Sequence, residues 1–171
     1  MLEWSLAVLR EVCDRVVVAV PPDRAAPPDM VAGGATRSES VRNALAAAPE
    51  ATVVVVHDAA RPLVTVELVR RCLDALEGCD GVIAALPVTD TIKEVEDGWV
   101  VRTPERERLW AVQTPQVFRA DALRDAGGDA TDDASLVEAN GGRVRVVDGA
   151  PENFKVTTPL DVRVAEMLLA D

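Results

Sequence analysis

The chain has 171 residues, a net charge of −11, 49% hydrophobic and 27% charged residues. These totals fit a single globular domain able to bury a core and exclude a disordered or collagen-like chain. The acidic balance argues against a nucleic-acid-binding face, and no apolar run approaches the ~20 residues needed to cross a bilayer.

In chain order, Leu2–Cys13 has apolar residues at helical spacing, and Arg15–Val20 is an apolar run of strand length. Pro21 and Pro22 end it, and Pro27, Pro28 and the Gly33-Gly34 pair predict an irregular stretch. Ser38–Ala48 reads as a helix capped by Ser38 or Ser40. Thr52–Val56, four valines after a threonine, has the pattern of a strand buried on both faces. Val66–Leu76 is an amphipathic helix and Gly81–Val88 a further buried strand. Thr91–Val95 and Trp99–Thr103 flank Asp97-Gly98, a type I′ hairpin signal, and this hairpin should project as an arm over about residues 90–108. Leu109–Phe118 returns to the core. Thr131–Ala139 is a capped helix closed by Gly141-Gly142, and Arg143–Val147 and Phe154–Val156 are strands. Thr158 as cap and Pro159 behind it open a last helix to about Leu169.

Helices alternating with β-branched runs predict an α/β, Rossmann-like architecture: a mainly parallel sheet between helices, in one domain over residues 1–171. Cys13, Cys72 and Cys79 are odd in number and lack zinc-ligand spacing. With no basic-then-apolar leader at the start, they read as reduced packing residues of a cytoplasmic protein.

Only Lys93 and Lys155 among the 18 basic residues are lysines. Where arginine is so favoured, a retained lysine marks a candidate position for a compact ammonium on a flexible stem. In open α/β sheets ligands gather at the carboxyl ends of the strands, where the loops converge. Val56 leads there into His57-Asp58-Ala59-Ala60-Arg61-Pro62. Asp58 can accept from hydroxyls and Arg61 can bind phosphate, unless the two form a salt bridge that steadies the loop. His57, the only histidine, reads as a hydrogen-bonded loop residue. Gly33-Gly34-Ala35-Thr36-Arg37-Ser38-Glu39-Ser40 enters a helix N-terminus, whose amides and hydroxyls suit an anion or the edge of a base.

Six runs occur in a fixed order: Gly-Gly-Ala-Thr-Arg-Ser-Glu-Ser-Val-Arg-Asn, His-Asp-Ala-Ala-Arg-Pro, Pro-Val-Thr-Asp-Thr-Ile-Lys, Gln-Thr-Pro-Gln-Val-Phe, Thr-Asp-Asp-Ala-Ser and Glu-Asn-Phe-Lys-Val-Thr. In these runs the chain resembles the 2-C-methyl-D-erythritol 4-phosphate cytidylyltransferases of the non-mevalonate isoprenoid pathway. The resemblance implies transfer of CMP from CTP to the polyol phosphate, Mg²⁺ held mainly by the CTP phosphates, and a homodimer that exchanges hairpin arms. It places Arg106 and Lys155 on the acceptor phosphate as the catalytic pair. Asp58, Arg61, Thr91, Thr114 and Thr131 would line the acceptor, with Thr91 and Arg106 supplied by the partner's arm. Gly34, Ala35 and Ser40 would meet the cytosine and Ala59 the ribose, while Lys93 would lend charge from the arm.

Family members open with a strand and a glycine-rich loop carrying an arginine and a lysine, and nothing of that kind precedes Met1. The expectation is slow turnover of CTP by this chain as it stands. Two other readings stay open at this level: a cytidylyltransferase for another polyol phosphate, such as ribitol 5-phosphate, and an inactive dimeric paralogue.

Overall fold

The computed structural model describes every residue except Pro27 and Asp171. Helix α1 (Leu2–Val12) turns Ser5, Leu6 and Leu9 inward. Strands β1 (Val18–Val20) and β2 (Met30–Ala32) pair in parallel as a small sheet of their own. Only the end of the predicted Arg15–Val20 strand is regular, and β2 forms where the prolines and glycines predicted irregular chain. The reason is pairing: β1 supplies a ladder for Met30–Ala32 that the local sequence does not announce. Helix α2 (Arg37–Ala46) is capped by Thr36, not by Ser38 or Ser40, because the Thr36 hydroxyl accepts from the Glu39 amide at 3.1 Å.

The main sheet contains β3 (Val53–Val56), β4 (Gly81–Pro87), β7 (Trp110–Arg119) and β8 (Val144–Asp148) in the order β3-β7-β4-β8. Strand β7 runs against both of its neighbours, and β4 and β8 are parallel, so three of the four strands share one sense. Between β4 and β7 the chain forms the arm, with β5 (Glu94–Glu96) and β6 (Trp99–Arg102). Asp97 and Gly98 have φ of 49° and 83°, as a type I′ turn requires.

Alternation along β4 and β7 sorts two cores. Ile83 and Phe118 face α2, α4 (Ala120–Asp125) and α5 (Asp133–Ala139), packing with Leu45, Leu123 and Val137. Val82, Ala84 and Val117 face α3 (Val66–Asp74), packing with Leu68, Cys72 and Leu76. Fully burying a side chain such as Phe118 stabilises the fold by roughly 1.5–3 kcal/mol. Gly81 lies opposite Phe118 in the ladder, and a β-carbon there would run into the ring. All three cysteines are free; burial pushes the Cys72 thiol up to about 11, which suits a packing residue.

Helix α6 (Pro159–Ala170) closes the chain. The Thr158 hydroxyl accepts from the Asp161 amide, while the Asp161 carboxylate accepts from the amides of Thr157 and Thr158. Phe154–Val156, expected as a strand, is irregular; its one ladder-like bond is from the Val156 amide to the Ala60 carbonyl.

The four-valine strand departs most from expectation. Val53 is 40% exposed and Val54–Val56 are half-buried, so β3 is not covered on both faces. It pairs with β7 on one side only. Beyond its other edge lies an apolar cleft of about 600 Å³, floored by α1 and α2 and bounded on the far side by β1.

Candidate active site

A second cavity, of about 470 Å³ and predominantly polar in its lining, opens where β3 ends and β7 crosses it. A break in strand pairing makes room for it. Along β4 and β7 the register shifts between Ile83 and Ala85, which pair with Gln116 and Val112, leaving Gln113, Thr114 and Pro115 outside the ladder. Pro115 has no N–H to give a ladder, and such bulges re-aim side chains. Gln113 and Thr114 accordingly reach the loop after β3 and the segment after β8.

The Thr114 hydroxyl accepts from the Asp58 amide at 3.0 Å and lies 3.1 Å from His57 Nδ1. Having accepted one proton, it donates its own to Nδ1, which leaves Nε2–H to donate to the Arg61 carbonyl at 3.1 Å. His57 is therefore a neutral brace in a loop, as its isolation in the sequence suggests. Burial, only partly opposed by the Arg61 carbonyl, pushes its pKa down to about 4.

Asp58 and Arg61 do not pair through their side chains. The Arg61 guanidinium turns inward, donating to the Asn153 carbonyl at 2.8 Å, and its Nε is buried without a partner. Burial lowers its pKa. Asn153, fully buried, donates to Gln113 and to the Thr114 carbonyl, and Gln113 also bonds both backbone groups of Ala150. These bonds stitch residues 150–153 to β7 and so fix where Lys155 emerges.

Asp58 instead divides its two oxygens between cations. Lys155 Nζ lies 2.9 Å from Oδ2, and Arg37 Nε lies 3.4 Å from Oδ1. Burial alone would raise this carboxyl, but the Lys155 bond, with Arg37 and Arg61 adding charge, outweighs it and holds Asp58 below the usual carboxylate range. Arg37 continues to Asp133, whose side chain is 1% exposed, with Nη1 at 2.7 Å from Oδ2. Burial raises Asp133 despite Arg37. For Arg37 burial works the other way, and the two carboxylates together keep it a firm cation. Asp132 caps α5, taking both the amide and the hydroxyl of Ser135, and Gln116 donates to its other oxygen.

Among the residues singled out from the sequence, Asp58, Arg61, Thr114, Thr131 and Lys155 meet around this basin. Ser40 and Ala59 lie at the neighbouring apolar cleft, which shares Arg37 and Asp58 with the basin. Beside Ser40, the Gly34 amide donates to the Ser40 hydroxyl at 3.0 Å, and the Ala35 amide donates to Glu39 Oε2 at 2.7 Å. Arg106, Thr91 and Lys93 stand outside both cavities. Arg106 donates to the Thr89 carbonyl at the base of the arm, and Lys93 to the Thr103 hydroxyl across it. Sequence reasoning missed Arg37, Gln116, Asp133 and Asn153. All four stand inside the six ordered runs, but an arginine and an aspartate opening helices read as ordinary terminal residues, and the two amides carry no charge to mark them.

The sheet, the helices on its faces and the polar basin at the strand ends are those of an α/β nucleotidyltransferase domain. Residues 1–171 match the family model for 2-C-methyl-D-erythritol 4-phosphate cytidylyltransferase. A relative so named from Parasynechococcus marenigrum is 45% identical over 99% of this chain and 79% of its own length. Another from a Synechococcus species is 50% identical over 82% of this chain and 66% of its own. The crystal structure of the enzyme of that name from Thermus thermophilus superposes with a TM-score of 0.87 at 41% identity, covering 99% of this chain and 88% of that one. The chain belongs to the 2-C-methyl-D-erythritol 4-phosphate cytidylyltransferase family, so the readings as an enzyme for another polyol phosphate and as an inactive paralogue give way to it. Among the described residues, no helix is long and apolar enough to cross a membrane.

Proposed function

We propose that this chain transfers CMP from CTP to 2-C-methyl-D-erythritol 4-phosphate, releasing pyrophosphate. The observation that carries the reading is the basin itself, where a half-exposed lysine, a carboxylate held ionised and two threonines, Thr114 and Thr131, converge. An ammonium suits the acceptor's phosphate, and a carboxylate with threonine hydroxyls suits its polyol.

In the reaction, an oxygen of the acceptor phosphate attacks the α-phosphorus of CTP while the bond to the pyrophosphate oxygen breaks. The protein contributes placement and neutralisation of spread negative charge rather than covalent chemistry. Lys155 turns from Asp58 to the entering phosphate and aims it. Asp58 and Thr114 hold hydroxyls, and Arg61, braced by Asn153, supports the loop from beneath. The amides of Gly34 and Ala35, with Ser40, meet the cytosine once their internal partners are displaced, and Ala59 faces the ribose.

Asp58 carries a cation on each oxygen, and among the described residues no three side chains of metal-ligating type stand together. These residues do not form a cage for a divalent ion, so the nucleotide is read as entering with Mg²⁺ on its own phosphates.

The arm supports a homodimer with exchanged hairpins. Trp99 is 78% exposed, and Val95, Val100 and Val101 are exposed around it, an apolar ribbon that two strands cannot cover by themselves. Crossing to a second copy would bury it and bring the partner's Arg106 and Thr91 to the basin. The test is pyrophosphate release by the full-length protein with CTP, Mg²⁺ and either methylerythritol phosphate or ribitol 5-phosphate. Release with the first and not the second supports the reading; preference for ribitol 5-phosphate, or release with neither, overturns it.

A further inference from the structure

We propose that Arg37 is the positioning residue of this site: its guanidinium bridges Asp58 and Asp133, so that Lys155 can leave Asp58 for the acceptor phosphate without stranding that carboxylate. This rests on the acceptor site proposed above. The four charges form a row across the basin, Asp133–Arg37–Asp58–Lys155, and each link comes from a different element. Asp133 opens α5, Arg37 opens α2, Asp58 follows β3 and Lys155 follows β8.

The need for a second countercharge follows from burial. The Asp58 side chain is 15% exposed, so an anion left there alone would be poorly solvated. If Lys155 were its only partner, every move of the ammonium toward a phosphate would break a pair at that cost. Arg37 on the other oxygen removes the obstacle, because Asp58 stays paired while Oδ2 is freed to accept a substrate hydroxyl. The anchor is equally one-sided. Asp133 is buried, its Oδ1 has no partner, and Arg37 is the only cation that contacts it among the described residues. A planar guanidinium can present Nε to one carboxylate and Nη1 to another in fixed directions, whereas a lysine in that place could satisfy only one of them well.

The experiment compares Arg37→Gln, Arg37→Lys, Asp133→Asn and the double variant Arg37→Gln/Asp133→Asn in the full-length protein, reading thermal unfolding together with KM for each substrate. Arg37→Gln should lose thermal stability because Asp133 is left as a buried lone charge. The double variant removes that charge and should regain most of the midpoint. The acceptor KM should nonetheless stay raised by roughly tenfold or more in both, the size of one lost charged contact, while the CTP KM stays within about threefold. Arg37→Lys should fall between these and the parent. A double variant with restored stability and a parental acceptor KM would reduce Arg37 to a structural residue and overturn the proposal. A shift in the CTP KM alone would overturn it too, by making Arg37 a nucleotide contact. If Arg37→Gln does not fold, Arg37→Lys and Asp133→Asn carry the same KM comparison. A parent protein that ignores methylerythritol phosphate sinks the functional reading instead. The bridge is then judged by whether the two single-variant losses of stability fail to add in the double variant.

Discussion

The basin and the arm are opposite solutions to the same constraint. In the basin most polar groups find partners within the chain: Asn153 donates to Gln113 and Thr114, Thr114 bonds His57 and Asp58, and Asp58 meets two cations. Arg61 Nε, Asp133 Oδ1 and Asn153 Oδ1 stay buried without one. On the arm the apolar side chains are left largely uncovered, and every residue of β5 and β6 is exposed. A polar site bonded mostly within the chain is specified largely by its own sequence, whereas an uncovered apolar ribbon is specified by whatever covers it. Two of the proposed acceptor-binding residues, Arg106 and Thr91, sit on the part that a second copy would complete. The site as proposed is therefore mostly internal, with a smaller share borrowed.

The comparison breaks most visibly if the internal part proves dispensable. Lys155→Ala should cut turnover by about 10²–10³ with a thermal midpoint close to the parent, as expected for one preorganised donor to developing charge. Lys155→Arg should recover little of it, and near-parental activity in that variant would dismiss the lysine. The borrowed part can be sharpened by mixing subunits. Arg106→Ala and Lys155→Ala should each be poor alone, yet a re-equilibrated equal mixture should regain about one quarter of parental activity, since half the dimers would be mixed and each would hold one intact site. No recovery would place Arg106 in its own subunit's site, and an Arg106→Ala variant that is fully active alone would place it outside any site. A monomer by light scattering would remove the borrowed part altogether.

A smaller effect concerns pH. The His57 pKa is lowered to about 4 in the fold from an ordinary value near 6.5, so the unfolded chain binds the extra proton between those values. Stability should therefore fall as pH drops from about 6.5 to 4, by at most about 3 kcal/mol, and His57 should add no further slope below 4. Asp58, with its lowered pKa, contributes above its ordinary value and loses that contribution at still lower pH. Urea unfolding of His57→Gln from pH 4 to 7 should show a flatter profile than the parent; an unchanged slope would assign it to other groups. The smallest change is Thr36→Ala, which removes the cap of α2 and should cost about 1 kcal/mol, measured by the same unfolding curve.

What was legible in the sequence was mostly local. Asp97-Gly98 announces its turn because both residues must take positive φ, and Thr158-Pro159 announces a helix start because cap and first turn lie side by side. The residues that converge in the basin stand in the ordered motifs: Asp58 and Arg61 follow β3 and Lys155 follows β8, while Thr114 lies within β7 and Thr131 just before α5. Apart from the cap of α2, which is Thr36 and not Ser38 or Ser40, the failures are non-local. Four valines predict a strand, but what covers its faces depends on elements elsewhere, and β3 borders a cleft instead. Met30–Ala32 is a strand only because β1 lies beside it. Arg37 and Asp133 are 96 positions apart, and no periodicity links them. For Asp58 and Arg61 the alternative of a loop-steadying bridge does not hold, because the fold sends the two side chains to different partners.

The pairing of Lys155 with Asp58 also makes the molecule its own reporter. Lys93 and Lys155 are the only side-chain amines in the chain, one bonded to a threonine on the arm and the other to a carboxylate in the basin. An acylating reagent that needs the neutral amine would have two such targets, and the arm lysine would serve as the internal reference for the basin lysine. Ligation of a phosphate by Lys155 would appear as protection at a single residue in a peptide mass map. The arginine-rich composition thus leaves the proposed acceptor site open to footprinting without an added label.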